Sequence, residues 1–451
     1  MELTVQQMVE KARAAMAEIA DYTQEQVDQL CFEAAKAVYK DRENLAVMAV
    51  EETGLGKVAH KIDKLDLACS MMWDYLKDKK SVGVIAEHPE LGITEFAKPV
   101  GVVASISPAT NPGATPVANF MQAIKGKNAV IVSPAPRAKN TSVRTCDLIR
   151  DAIVKCGAPG DLIQCIENVS IEKSGELMAA ADLIVATGGA GMVKAAYSSG
   201  TPAYGVGPGN PPVILDRDFS VDDAVPIMAE ASGFENGILC DGCNHFLYPQ
   251  EKEAEVFEKW NAGGIVVFDK AEDVDKFRNV MFQDGKANAE IIGKDADVIA
   301  KAAGFDIPKE TEAIALKIDK VGKEEVLTHE FLGPTMTLIS YDTFEEAVDK
   351  ALKILTEQDG IGHGTGILSN TEEHIRYAAE RIPVSRMMIN QPSSDGWGPS
   401  HNGLPPTMSE SCGTWGNNIL SGNVDYIHFL NITRVARRLD IEWPDSEAMF
   451  K

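Results

Sequence analysis

The chain has 451 residues, 45% of them apolar, and 67 acidic against 43 basic side chains give it a net charge of −24 at neutral pH. That length suits two domains or one two-lobed body, and a charge of this sign repels phosphate backbones and anionic lipid surfaces, which excludes a broad nucleic-acid or membrane-surface role. In chain order, residues 1–80 carry apolar positions at helical spacing (Val5, Met8, Val9 and Ala12 first, then faces over 25–50 and 57–79). The opening MELTVQQMVEKARAAM has the pattern of an amphipathic helix, not of a signal peptide. From there the texture changes to short β-branched runs, GVVASISPATNP, NAVIVSPAP and ADLIVATGG, each stopped by Gly, Pro, Ser or Thr and separated by helical segments at 114–126 and 140–156. That alternation predicts a parallel sheet with crossover helices.

A second alternation starts near residue 211: PPVILD, a helix over 221–233, HFLYP, a helix over 251–261, GIVVFD, TMTLISYD, a helix from TFEEAV onward, and GTGILS. The expected organisation is α/β with two parallel-sheet lobes, a cofactor-binding lobe over 1–210 and a catalytic lobe over 211–420. Residues 86–100 are expected in an oligomerisation hairpin, and 421–451 as a C-terminal oligomerisation strand that makes a homodimer or a dimer of dimers. No stretch approaches the roughly 20 apolar residues of a membrane span. The eight cysteines are scattered, mostly in apolar segments, which predicts reduced thiols and a cytoplasmic setting.

The strongest local signal is FENGILCDGCNHF, which places Cys240 at the end of a glycine-flanked turn before an apolar strand. A thiol in such a turn can be held near backbone N–H groups and attack a carbonyl carbon, although an arbitrary cysteine is more often a core residue. Cys243 completes C-x-x-C, but a zinc site needs a second ligand pair at suitable spacing and the sequence offers none, so no metal is expected. A reversible disulfide between the two is a further possibility. Two glycine-rich turns follow strands: Thr187, Gly188 and Gly189 in ATGGAG, and Gly207 in GVGPGN. Both can bring backbone amides close to a ligand. Neither fits G-x-G-x-x-G, which disfavours an ordinary Rossmann site.

Taken in order, ISPATNP, VSPAPR, ATGGAG, GVGPGN, NGILC, HEFLGP and CGTWG resemble the aldehyde dehydrogenase superfamily from residue 1 to about 438, and more closely its coenzyme A-acylating branch. The chain is expected to lack the alcohol dehydrogenase domain of the bifunctional members. The resemblance implies that Cys240 attacks the aldehyde, that its own N–H and the Asn111 amide hold the oxyanion, and that Glu330 holds the nicotinamide ribose. Hydrolytic relatives place a water-activating glutamate where this chain has Val206; without that base a thiol acceptor outcompetes water, so coenzyme A is the implied co-substrate. His363 is a candidate for proton transfer, although this chain reads GHG where the family reads GHT. Cys412 is expected to be structural.

Ser133, Pro134 and Arg137 of VSPAPR are expected at the adenosine end of NAD(P), with Arg137 and Lys139 tilting the choice toward NADP. The segment NQPSSDGWGPSHNGLPPTMSESCG is expected to line the aldehyde pocket, where Arg386, Asn390, Ser393 and His401 offer to bind an acidic head. That ranks sulfoacetaldehyde or succinate semialdehyde ahead of acetaldehyde. The rival readings are a hydrolytic aldehyde dehydrogenase, an acyl-phosphate reductase of the same fold, and a non-catalytic scaffold.

Overall fold

The computed structural model describes residues 2–398 and 401–451. Four helices open the chain, Val5–Glu18, Gln24–Lys40, Arg42–Thr53 and Val58–Leu76. Thr4 and Thr23 start the first two with capping boxes, each accepting from a backbone N–H three residues on while a glutamine side chain there bonds back. The face predicted over 25–50 is thus two helices divided at Asp41. None of the described helices is long and apolar enough to cross a membrane.

The first sheet has five parallel strands in the spatial order Ile163–Cys165, Ala129–Pro134, Val102–Ser107, Leu183–Thr187, Ala203–Val206. Numbered by chain order this is 3-2-1-4-5, the doubly wound order of dinucleotide-binding domains, built here without the glycine fingerprint that usually marks it. Every residue of Val102–Ser107 and Ala129–Pro134 is buried, because helices cover both faces. The second sheet has seven strands, Ile265–Phe268, Ala313–Lys317, Thr335–Tyr341, His245–Pro249, Pro212–Leu215, Gly362–Leu368 and Val384–Ile389 in space, again all parallel. Its side chains alternate between two layers: Ile314 and Leu316 pack with Phe277 and Ile354, whereas Ala313 and Ala315 pack with Trp260 and Met228.

Strands Gly83–His88 and Ile93–Pro99 form an antiparallel hairpin, and Leu430–Ala436 pairs with the second of them, Leu430 opposite Pro99 through Ala436 opposite Ile93. The C-terminal strand is therefore partnered within its own chain. The return to that hairpin does not respect a border at 420: Val424 and Phe429, both fully buried, join the core of the first lobe, and Met408 and Leu420 pack against it.

Candidate active site

The strand order of the first sheet reverses between Val102–Ser107 and Leu183–Thr187, and ligands of such sheets bind outside the carboxyl ends at that point. A cleft lies there. Asn111 from one loop and Thr187, Gly188 and Gly189 from the other form one wall; Cys240, Asp241 and Glu330, from loops preceding strands of the second sheet, form the opposite wall together with Glu410.

Cys240 follows a sharp turn. Glu235, Asn236 and Gly237 have φ of 55°, 53° and 63°, three successive left-handed residues of which only one is glycine. Such a backbone persists only if its surroundings hold it. Glu235 N–H donates to His60 Nδ1 at 2.8 Å, and the fully buried carboxylate takes Lys61 Nζ at 2.5 Å and Lys64 Nζ at 3.0 Å. Asn236 donates to Gly293 O and to Asp295 Oδ1. A Cβ on Gly237 would meet the Gly333 carbonyl oxygen at 2.1 Å, so only glycine fits. Burial works to raise the Glu235 carboxyl, but the two ammoniums outweigh it and hold it below the ordinary range. Lys61 is lowered to about 8 by burial and then by Lys64.

Lys64 does a second thing. Its Nζ donates to Asn111 Oδ1 at 2.7 Å. With the amide oxygen held by an ammonium, Asn111 is left with its N–H2 end as the group to offer the cleft.

The sulfur of Cys240 opens partly to the cleft and donates to Glu410 Oε2 at 3.8 Å. Burial, then the Glu410 and Asp241 carboxyls, push its thiol well above the ordinary range, so the resting group is S–H. Burial also raises Glu410, against the pull of Arg386, whose Nε lies 3.3 Å from Oε1. Asp241 is pushed well up by burial and by Glu410. His363, fully buried in Gly362–Leu368, has Nε2 4.0 Å from Glu410 Oε2 and, among the described residues, no hydrogen-bond partner on either ring nitrogen. Its imidazole is held well below the ordinary range by burial and by Arg386. That is the opposite of a group poised near neutral pH: the ring is neutral. Cys240, His363 and Glu410 thus bring three donor types within 4.8 Å, a grouping the C-x-x-C spacing gave no reason to expect. Cys243, by contrast, is buried and donates to the His245 carbonyl at 3.3 Å, so the two thiols of the C-x-x-C pair have separate partners.

On the opposite wall, helix Ala190–Ser198 starts at Gly189, a cleft-lining residue, with no side-chain cap on its first amides. A Cβ on Gly189 would meet nothing within 4 Å, and one on Gly207 would come 3.4 Å from the sulfur of Cys412, buried beneath it. Glu330 Oε1 accepts from Gly209 N–H at 3.2 Å, and burial pushes this carboxyl up to about 8 against that bond. This bare-backbone surface beside a carboxylate fits a dinucleotide: amides for phosphate, Glu330 for a ribose hydroxyl. Ser133 and Pro134 end the neighbouring strand, away from Cys240, with Ser133 Oγ bonded to Ser174 Oγ at 2.8 Å. Arg137 is exposed on the short turn Pro136–Ala138.

The four residues expected to bind an acidic head group are not in the cleft wall. Arg386 is 4% exposed and donates to the Ser411 carbonyl, Asn423 Oδ1 and the His363 carbonyl. Asn390, at φ 54°, closes a turn by bonding both the N–H and the carbonyl of Ser369. Ser393 is buried with its hydroxyl unpartnered, and His401 pairs outward with Asp395 at 2.7 Å. Arg386 and Asn390 thus bind neighbouring backbone, and His401 binds a neighbouring carboxylate. From the same segment Trp397, Thr407, Met408 and Glu410 line the cleft instead. Glu410, Asp241 and Lys64 were missed by sequence reasoning. Asp241, next to Cys240, was the one with a readable signal.

The aldehyde dehydrogenase family profile matches residues 2–263. A succinate-semialdehyde dehydrogenase (acetylating) of Clostridium kluyveri is 43% identical over 96% of both chains. A sulfoacetaldehyde dehydrogenase (acylating) of Bilophila wadsworthia is 39% identical over 96% of this chain and 94% of its own. The crystal structure of an acetylating aldehyde dehydrogenase from Geobacillus thermoglucosidasius superposes with a TM-score of 0.94 at 35% identity, covering 98% of each. The chain belongs to the aldehyde dehydrogenase family.

Proposed function

We propose that the protein oxidises a short aldehyde with NAD(P)+ and hands the acyl group from Cys240 to coenzyme A. The carrying observation is a thiol set in the cleft with Val206, 2% exposed, on the wall where a hydrolytic enzyme would hold its water-activating carboxylate. The acylating relatives support the same reading. Cys240 attacks the aldehyde carbon, and its backbone N–H together with the Asn111 amide receives the oxyanion, each such donor lowering the barrier by about 3 kcal/mol. NAD(P)+, when bound, supplies the acceptor for the hydride. Thr187, Gly188, Gly189 and Gly207 offer bare backbone to it and Glu330 a carboxylate. Cys240 then carries a thioester. Glu410 Oε2 lies 3.8 Å from the sulfur and accepts its hydrogen bond.

Arg137, exposed beside the strand end, favours NADP over NAD, and its replacement by alanine should lower the NADP to NAD ratio of kcat/KM. Arg386 is turned inward, so an acidic aldehyde would meet another cation, and Lys64 lines the cleft; the names of the succinate-semialdehyde and sulfoacetaldehyde relatives support ranking such an aldehyde ahead of acetaldehyde. The three-stranded sheet of hairpin and C-terminal strand, whose two outer strands each leave one edge unpaired among the described residues, supports a homodimer or a dimer of dimers. The deciding experiment is a spectrophotometric panel of acetaldehyde, propionaldehyde, succinate semialdehyde and sulfoacetaldehyde with NAD or NADP, with and without coenzyme A. Full-speed turnover to free acid without a thiol would reject acyl transfer to coenzyme A.

A further inference from the structure

The thiol of Cys240 needs somewhere to put its proton. Thr187 to Gly189 present mainly backbone, and Asn111 presents an amide, so the first wall offers no base. Among the charged and titratable groups around the sulfur, Asp241 flanks it in the same loop, Glu330 lies across the turn at Gly209, and Lys64 is bound to Asn111 and Glu235. His363 on Gly362–Leu368 and Arg386 on Val384–Ile389 lie behind, and Cys412 is under Gly207. Only one of them receives the thiol's hydrogen bond: Glu410, through Oε2, while Arg386 fixes Oε1 from the other side. Oε1 carries no hydrogen bond. Glu410 itself is 4% exposed, on Glu410–Cys412, a short strand paired with Ser421–Asn423.

We propose that Glu410 is the catalytic residue that takes the Cys240 proton as the sulfur attacks the aldehyde. The inference rests on the aldehyde-oxidising role of Cys240, not on the identity of the acyl acceptor. The S–H bond breaks, the proton bonds to Oε2, and the sulfur's electron pair forms the bond to the carbonyl carbon, whose π pair becomes the oxyanion. Glu410 then releases that proton to solvent; it is the one proton the oxidation liberates. When the acyl group departs, the sulfur leaves as thiolate and is reprotonated, matched by the proton that an incoming thiol gives up. Arg386 keeps the carboxylate ionised before the step, and burial strengthens its hold on the proton afterwards, which brings base and thiol closer in proton affinity.

The test separates this chemistry from mere support of the loop. In Glu410→Gln, the single-turnover burst of NAD(P)H from aldehyde without coenzyme A should slow about 100-fold at pH 7 and recover as pH rises and the thiol ionises to solvent. Alkylation of Cys240 by iodoacetamide, which reads thiolate already present, should be no slower than in the wild type, because a neighbouring negative charge has gone. A structural role would slow both together, and a purely electrostatic one would speed both. An unchanged or faster burst, or parallel loss of burst and alkylation, overturns the proposal. So would stoichiometric zinc in the purified protein, since a ligated thiolate has no proton to give. Should the glutamine variant not fold, Glu410→Asp must slow the burst about 10-fold, and a full-speed burst there rejects the assignment. A wild type that yields no burst with any aldehyde would instead reject the aldehyde-oxidising function.

Discussion

The two walls of the cleft are built on different principles. The wall from the first sheet offers backbone, in Thr187, Gly188 and Gly189 before an uncapped helix, plus an Asn111 amide oriented by Lys64. The wall from the second sheet and the returning chain is crowded with ionisable side chains: Cys240, Asp241, Glu330 and Glu410, with His363 and Arg386 behind. A surface that must bind an anionic dinucleotide does best with fixed dipoles and little charge of its own. A surface that must move protons needs titratable groups whose affinities burial has brought toward one another. The division of labour explains why only one wall carries strongly displaced ionisations.

Removing the nucleophile breaks the comparison most completely. Cys240→Ala should lower NAD(P)H formation by at least about 1,000-fold while nucleotide binding, read by quenching of protein fluorescence, persists, because binding belongs to the other wall. Next is the point where a cofactor-side loop touches the nucleophile. An added Cβ at Gly209 would lie 1.6 Å from the Cys240 carbonyl oxygen. Gly209→Ala should therefore cost more than about 100-fold in kcat/KM and lower Tm by about 5 °C or more. Loss of the Asn111 amide costs one oxyanion donor: Asn111→Ala should reduce kcat about 100-fold with little change in nucleotide affinity. Equal losses in both would mean that Asn111 also holds the nucleotide and is not an oxyanion donor alone.

The smallest effect is on stability against pH. His245, buried in the second sheet between Thr337 and Asn210, is lowered to about 3 by burial. Folding favours its neutral form, so its stabilisation is complete above the unfolded value of about 6.5 and is lost as pH falls from there toward about 3, at up to about 1.4 kcal/mol per pH unit. The Tm difference between wild type and His245→Asn should shrink between pH 7.5 and 5. A constant difference would show that His245 binds its proton equally well in the folded and unfolded chains, and a difference that grows toward pH 5 would show that the fold favours the protonated ring.

The glycine-rich lining of the cleft was legible in the sequence because it depends on residue types that announce themselves: glycines after a β-branched run, at Thr187–Gly189 and Gly207, need no distant partner to be read. Cys240 was legible for the same reason. The proton-handling wall was not, since Glu410 lies 170 positions from Cys240 and becomes a partner only when the returning chain crosses back over the first lobe. The misplacement of Arg386, Asn390, Ser393 and His401 has the opposite cause. Polar residue types look like ligand-binding groups, yet Arg386 and Asn390 are taken up by nearby backbone groups and His401 by Asp395, partners that only the folded chain reveals. The first sheet's doubly wound order was obscured because its fingerprint is absent, although the alternation of strand and helix had marked both lobes.

The buried contact of Glu235 with Lys61 and Lys64 ties a turn beside the second sheet to the fourth helix of the first lobe. Drawing the lobes apart would strand a carboxylate and two ammoniums in a site shaped for all three, at a cost of several kcal/mol before any water arrives. Partial melting of one lobe is thereby penalised, and calorimetry should record one endotherm for the whole body where two independent domains would give a pair.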